Sequence, residues 1–199
     1  MQLGLIIGSN RKKSQSRRLA DFIDNRIKSG YTKVETEIFD LAEIDVPLWS
    51  EDKWNTNSEV VKNWAPTSRA LSEKDGFVVI SPEWAGMATP HLKNFLLMCD
   101  SGEVAHKPGL IVAVSSGLGG AYPVSELRSS GYKNNFIWWL PDHLIIRKVD
   151  NLFLSEEEEL SDHLVKRIDY SLKFLIEASV ALAPVRKKCQ DLSTYPYGM

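Results

Sequence analysis

The chain is poor in cysteine, in long apolar runs and in surplus charge. Only Cys99 and Cys189 occur among 199 residues, far apart and without a CxxC spacing, which argues against a disulfide framework or a zinc cluster. No apolar stretch reaches membrane-spanning length, so no insertion into a bilayer is expected. The 24 Lys and Arg nearly balance 26 Asp and Glu, for a net charge of −2, and no global basic field recruits nucleic acid. The N-terminus runs straight into an apolar segment without a charged leader, so a cytoplasmic, soluble protein is expected. His91, His106, His143 and His163 are scattered, with no His-x-x-x-His pair, and no metal is expected. Internal repeats and low-complexity linkers are also missing. Such a length suits one α/β domain, placed at residues 1–185, followed by a loose tail at 186–199.

What is present begins with Leu3-Gly4-Leu5-Ile6-Ile7-Gly8-Ser9-Asn10-Arg11-Lys12-Lys13-Ser14-Gln15-Ser16. A short apolar strand ends in a Gly-Ser turn, followed by cations and hydroxyls. Then comes an amphipathic helix with Leu19, Phe22, Ile23 and Ile27 on one face. Backbone N–H groups at a helix start, hydroxyl donors and an arginine make an anion site, suited to the phosphate of a nucleotide or flavin.

Strand-like and helix-like periods alternate from there on. Strands are expected near 3–7, 34–39, 76–80 (halting at Ser81-Pro82), 108–115 and 143–147. Helices are expected near 14–28, 58–72, 90–99, after Gly120, and from Glu156 to Ala183 with an acidic, solvated first turn. Residues 40–57 read as a loop. Continuous apolar strands joined by helices imply a parallel sheet covered on both faces, with ligand bound beyond the C-terminal strand ends. Three polar loops should converge there: after Ile7, after Ile80 and after Val114. Each alone has a plainer reading as a turn or cap, and Gly117-Leu118-Gly119-Gly120 is an incomplete dinucleotide fingerprint because Tyr122 stands where a third glycine belongs. Cys99 reads as core and Cys189 as a surface thiol. Phe136, Trp138 and Trp139 form an aromatic cluster before the fifth strand, suited to core or to a subunit interface.

The chain resembles the NADPH-dependent FMN reductase family on an ordered set of motifs. Gly8, Ser9, Arg11 and Ser14 match its Gly-Ser-x-Arg-x-x-Ser pattern. Pro82-Glu83-Trp84-Ala85 and Leu92-Lys93-Asn94 match its Pro-Glu-Tyr-Asn and Leu-Lys-Asn patterns, and Ser115, Gly117, Gly119 and Gly120 match part of a Ser-x-Gly-x-x-Gly-Gly pattern. The likeness covers roughly Leu3 to Arg128. It implies a flavodoxin-like three-layer fold with a five-stranded parallel sheet, FMN as cofactor, and NADPH or NADH as co-substrate. Electrons would pass to a quinone or other small acceptor, and the protein would be a homodimer or homotetramer. The resemblance places Ser9, Arg11, Ser14, Gln15 and Ser16 at the FMN phosphate. Pro82, Glu83, Trp84, Ala85 and Gly86 go to the ring, and Ser115, Gly117, Gly119 and Gly120 to its other edge. No catalytic side chain is implied, because the cofactor carries the chemistry. Trp84 replaces the family's tyrosine and Ala85 its asparagine. An FMN-binding electron carrier without efficient NAD(P)H turnover is the alternative, although flavodoxins have a Thr-rich phosphate loop where this chain has Arg11. A tyrosine phosphatase on a similar fold would need a cysteine between Gly8 and Ser16, which is lacking.

Overall fold

The computed structural model describes residues 1–152 and 161–194. In chain order the elements are β1 (Gln2–Ile7), α1 (Gln15–Gly30), β2 (Glu35–Asp40), a short 3-10 turn (Glu51–Trp54), α2 (Glu59–Ser72), β3 (Gly76–Pro82) and α3 (Pro90–Met98). There follow β4 (Pro108–Val114), α4 (Ala121–Ser129), β5 (Trp138–Ile146), α5 (Val149–Leu152) and α6 (Asp162–Lys188). All five strands are parallel, in the order β2-β1-β3-β4-β5. This is the flavodoxin-like order, and its winding reverses between β1 and β3.

Alternating side chains on each strand divide the core into two layers. Leu3, Leu5, Ile7, Val78, Ile80, Leu110 and Val112 face α1 and α6, which contribute Leu19, Ile23, Ile27, Ile168, Leu172 and Leu175. Ile6, Phe77, Val79, Ile111 and Ala113 face the other way, against Trp64, Leu71, Leu92, Phe95 and Leu127 of α2, α3 and α4. The helices start where hydroxyl residues cap them: Ser14, Ser58, Thr89 and Ser161 each accept from a backbone N–H in the first turn.

Several elements differ from the sequence reading. β5 begins at Trp138, five residues earlier than expected, so Trp138 and Trp139 lie within the strand rather than before it. Trp139 pairs with Gly109 beside an irregularity in the β4–β5 register, and its ring lies where a Cβ on Gly109 would be. Pro141 disguised the strand, but β5 is at the edge of the sheet, where a missing N–H is tolerated. β3 also runs through Ser81 and Pro82, both paired with β4, instead of halting before them. The last helix, expected from Glu156, begins at Asp162, because Ser161 at ψ 140° leaves the helical conformation and caps it; Glu156 to Glu159 lie outside the described residues. Residues 186–188, expected in the tail, are the final turn of α6, and Arg186 Nη2 lies 2.7 Å from Asp75 Oδ1.

The N-terminal end of the sheet is closed by buried polar side chains, most of them partnered within the protein, although His106 Nδ1 and Trp139 Nε1 are buried there without a partner among the described residues. Lys107 Nζ donates to the carbonyls of Leu71, Ser72 and Glu103 at 2.7–3.0 Å. The fully buried Glu103 accepts from Trp64 Nε1, Ser68 Oγ and the Ser101 N–H. Lys74 reaches Gln2 and Glu37.

Candidate functional site

At the opposite end, the loops after β1, β3 and β4 surround a cleft of about 730 Å³. The cleft lies against the β1–β3 junction, where the winding reverses and doubly wound folds take their ligands.

The first loop leaves β1 by way of Gly8, whose N–H donates to Ile80 O at 2.8 Å and whose carbonyl accepts from the Thr89 hydroxyl. Ser9 is buried, and its Oγ accepts the Arg11 N–H at 3.3 Å. Ser14 Oγ caps α1 by accepting the Arg17 N–H at 3.1 Å. Each hydroxyl accepts from the backbone and keeps its own proton to donate. The first turn of α1 adds N–H groups that have no carbonyl partner in the helix. Arg11, Lys12 and Lys13 line the cleft, and no described ion pair involves them. Arg17, in contrast, is held by Asp21, Asp40 and Glu43; its bonds to Asp21 and Asp40 raise its pKa.

The second loop turns sharply. Trp84 and Met87 exchange N–H to C=O bonds at 3.0 Å, and the residues between them, Ala85 and Gly86, have φ of 50° and 72°. Positive φ at both central positions is a type I′ turn. Gly86 adopts it freely, whereas Ala85 does so against its Cβ. The Trp84 indole lines the cleft, with the Arg11 guanidinium 5.2 Å from its ring centre. That contact joins the first loop to the second.

The third loop is pinned at several points. The Ser115 N–H donates to Ile146 O at 2.9 Å, and Ser115 Oγ accepts from the Gly117 N–H at 3.2 Å. Gly117 O accepts from the Lys148 N–H at 3.0 Å. Gly120, at φ 99°, starts α4.

Ten of the residues expected from sequence line the cleft: Ser9, Arg11, Ser14, Gln15, Ser16, Pro82, Glu83, Trp84, Ser115 and Gly117. Ala85, Gly86, Gly119 and Gly120 stand behind it, shaping the backbone of the second and third loops. The sequence reading missed Lys12, Lys13, Arg17, Arg18, Val114, Ser116, Val149 and Asp150 as lining residues. The lysines and Ser116 sit inside the motifs and were legible from adjacency. Asp150 was not, since it reaches the cleft only through the end of β5. Its Oδ1 accepts from Gln15 Nε2 at 3.1 Å, so the Gln15 amide faces Asp150. Among the described residues no three His, Cys, Asp or Glu side chains converge on a metal site, and no helix is long and apolar enough to cross a membrane.

The donor set suits one dianionic phosphate: a guanidinium, two ammonium groups, three serine hydroxyls and a helix start in one loop. The volume beyond it, walled by Trp84 and by the backbone of the third loop, suits a flat ring system. Comparison with known proteins agrees. Residues 1–150 match the NADPH-dependent FMN reductase family. An NADPH azoreductase from Bacillus sp. (strain OY1-2) is 30% identical over 131 residues, covering 65% of this chain and 68% of that protein. An oxidoreductase from Corynebacterium diphtheriae shares the fold with a TM-score of 0.68 at 18% identity, over 90% of this chain and 97% of that one. The flavoenzyme NAD(P)H:(acceptor) oxidoreductase FerB from Paracoccus denitrificans does so with a TM-score of 0.67 at 14% identity, over 91% and 96%. The chain belongs to the NADPH-dependent FMN reductase family, whose cofactor is FMN and whose co-substrate is NADPH or NADH.

Proposed function

We propose that this member of the NADPH-dependent FMN reductase family passes electrons from NADPH or NADH, through FMN, to a quinone or another small acceptor. The observation that carries this reading is the convergence of the basic first loop with two ring-sized loops at the β1–β3 reversal. Arg11 and the hydroxyls of Ser9, Ser14 and Ser16 would hold the phosphate, with the Gln15 N–H and the α1 N-terminus behind them. Pro82, Trp84 and the backbone at Ala85 and Gly86 would border the ring on one side, and Ser115, Gly117, Gly119 and Gly120 on the other. When bound, FMN supplies the redox chemistry, so the chain needs no acid–base triad of its own. The protein's part is to fix the ring, to keep one face open, and to aim the N–H groups of the second and third loops at charge that develops there.

The chain has no second complete dinucleotide fingerprint, so nicotinamide and acceptor take turns at the open face. Varying NADPH at several fixed quinone concentrations should therefore give parallel double-reciprocal lines, whereas intersecting lines would require a separate nicotinamide site. Loss of the flavin's visible absorption on anaerobic addition of NADPH tests turnover itself, and its persistence would favour an electron carrier.

The proposal extends to a cytoplasmic homodimer or homotetramer. Exposed Leu97, Tyr122 and Trp138 support it; of the segment 136–140, Trp138 is the exposed member, while Ile137 and Leu140 are buried. Light scattering at micromolar concentration should report a multiple of the chain mass.

A further inference from the structure

The third loop is tied to the second at the peptide unit joining Gly119 to Gly120. Its N–H, on Gly120, donates to Glu83 Oε2 at 2.6 Å. Its carbonyl, on Gly119, accepts from Arg147 Nε at 2.9 Å. The two bonds hold opposite ends of one amide plane, and each carries an ionised partner. Glu83 is itself held by its own N–H, which donates to Val114 O at 2.8 Å. The carboxylate thus projects from the end of β3 across β4. The loop has no slack around this grip: a Cβ on Gly119 would collide with the Glu83 carboxylate, and one on Gly120 with Ile145.

Glu83 borders the cleft, and its motif places it with the cofactor-binding residues. Its carboxylate is nevertheless already committed to the loop. An anionic group turned instead towards the flavin ring would also oppose the negative charge that builds there on reduction. We propose that Glu83 is a positioning residue: with Arg147 it clamps the Gly119–Gly120 peptide and so sets the width of the slot between the second and third loops. This rests on the reading of the cleft as an FMN site.

Two measurements test it. In amide NMR spectra of the cofactor-free protein, the Gly120 resonance should lie downfield. Glu83→Gln and Glu83→Ala should shift it and leave resonances of the remote strands in place. In fluorescence titrations with FMN and with riboflavin, Glu83→Ala should weaken both ligands by the same factor, about ten-fold, because the slot serves the ring and not the phosphate. Glu83→Gln, whose amide oxygen still accepts the Gly120 N–H, should restore binding to within about three-fold. Arg147→Ala should act in the same direction with a smaller factor, since its guanidinium bond is exposed to solvent. An unmoved Gly120 resonance in Glu83→Ala would overturn the clamp. Undiminished flavin binding in that variant, or a loss confined to FMN, would overturn the positioning role. If the unaltered protein binds neither flavin, it is the FMN reading that falls, and the Gly120 resonance still decides the clamp.

Discussion

The two ends of the sheet carry the same kinds of side chain and use them in opposite ways. At the N-terminal end Lys107 is bound to three carbonyls, Glu103 to three donors, and Asp75 to both the Gln2 N–H and Arg186. At the C-terminal end Arg11, Lys12 and Lys13 enter no described ion pair, and three serine hydroxyls keep a proton to donate. Burial explains most of the split, the buried Ser9 being an exception whose Oγ already accepts the Arg11 N–H. A polar group taken out of water must find its partners inside the protein. One left at an open rim costs little in the free protein and is available to a ligand. Partnership, more than residue type, separates scaffold from site here.

The strongest way to break this comparison is to remove a partner at the closed end. Glu103→Ala leaves the buried Trp64 Nε1 without its acceptor and opens a void, and should cost about 3 kcal/mol of stability in urea unfolding. FMN affinity of the folded fraction should not change. Arg11→Ala is the converse. It should weaken FMN by about ten- to a hundred-fold in a fluorescence titration while leaving riboflavin affinity and the unfolding midpoint in place. If Arg11→Ala lowered stability as Glu103→Ala does, the division would fail.

A pH titration sharpens the contrast. Burial, reinforced by the charge of Arg186, lowers Lys107 from 10.5 to about 8. Between those values the unfolded chain binds a proton that the folded chain does not. The Lys107 contribution to stability should therefore rise with pH across that window, by up to about 1.4 kcal/mol per unit, opposed from about 9 upward by the buried Cys99 thiol, whose pKa burial raises. Below about 8 both states are protonated and this slope vanishes. Replacing Lys107 by Met should remove the rise.

The smallest effect expected is at Ala85, the strained residue at the open end. Ala85→Asn places a residue that tolerates positive φ in the turn and should stabilise the fold by about 1 kcal/mol or less. Paired with Ala85→Gly, it separates backbone from side chain. FMN binding tightened by both variants points to the turn's conformation, and tightening by Asn alone points to its amide.

Much of the architecture was legible because it is written in local periods: apolar strands, hydroxyl caps and glycine-bearing loops recur in order from β1 to α4. The start of β5 was hidden because Trp138 and Pro141 make sense as strand residues only beside Gly109 and a sheet edge. The cleft's wall from the first three loops could be read from motifs. Asp150 could not, and neither could the commitment of Glu83 to Gly120, a contact between residues 37 apart. Motifs name the residues near a ligand without saying whether a side chain faces the ligand or the neighbouring loop.

The layer formed by α1 and α6 has a consequence for biosynthesis. A ribosome delivers all five strands and α1 before Ile168, Leu172, Leu175 and Ile176 of α6 emerge. Until they do, Leu110, Val112 and Leu144 on that side of the sheet lack their cover. The nascent chain must therefore carry a half-clad sheet from the completion of β4 until α6 emerges, with one face prone to bind chaperones or other nascent chains. Truncation within α6 would make that interval permanent, even though every loop around the cleft would already have been made.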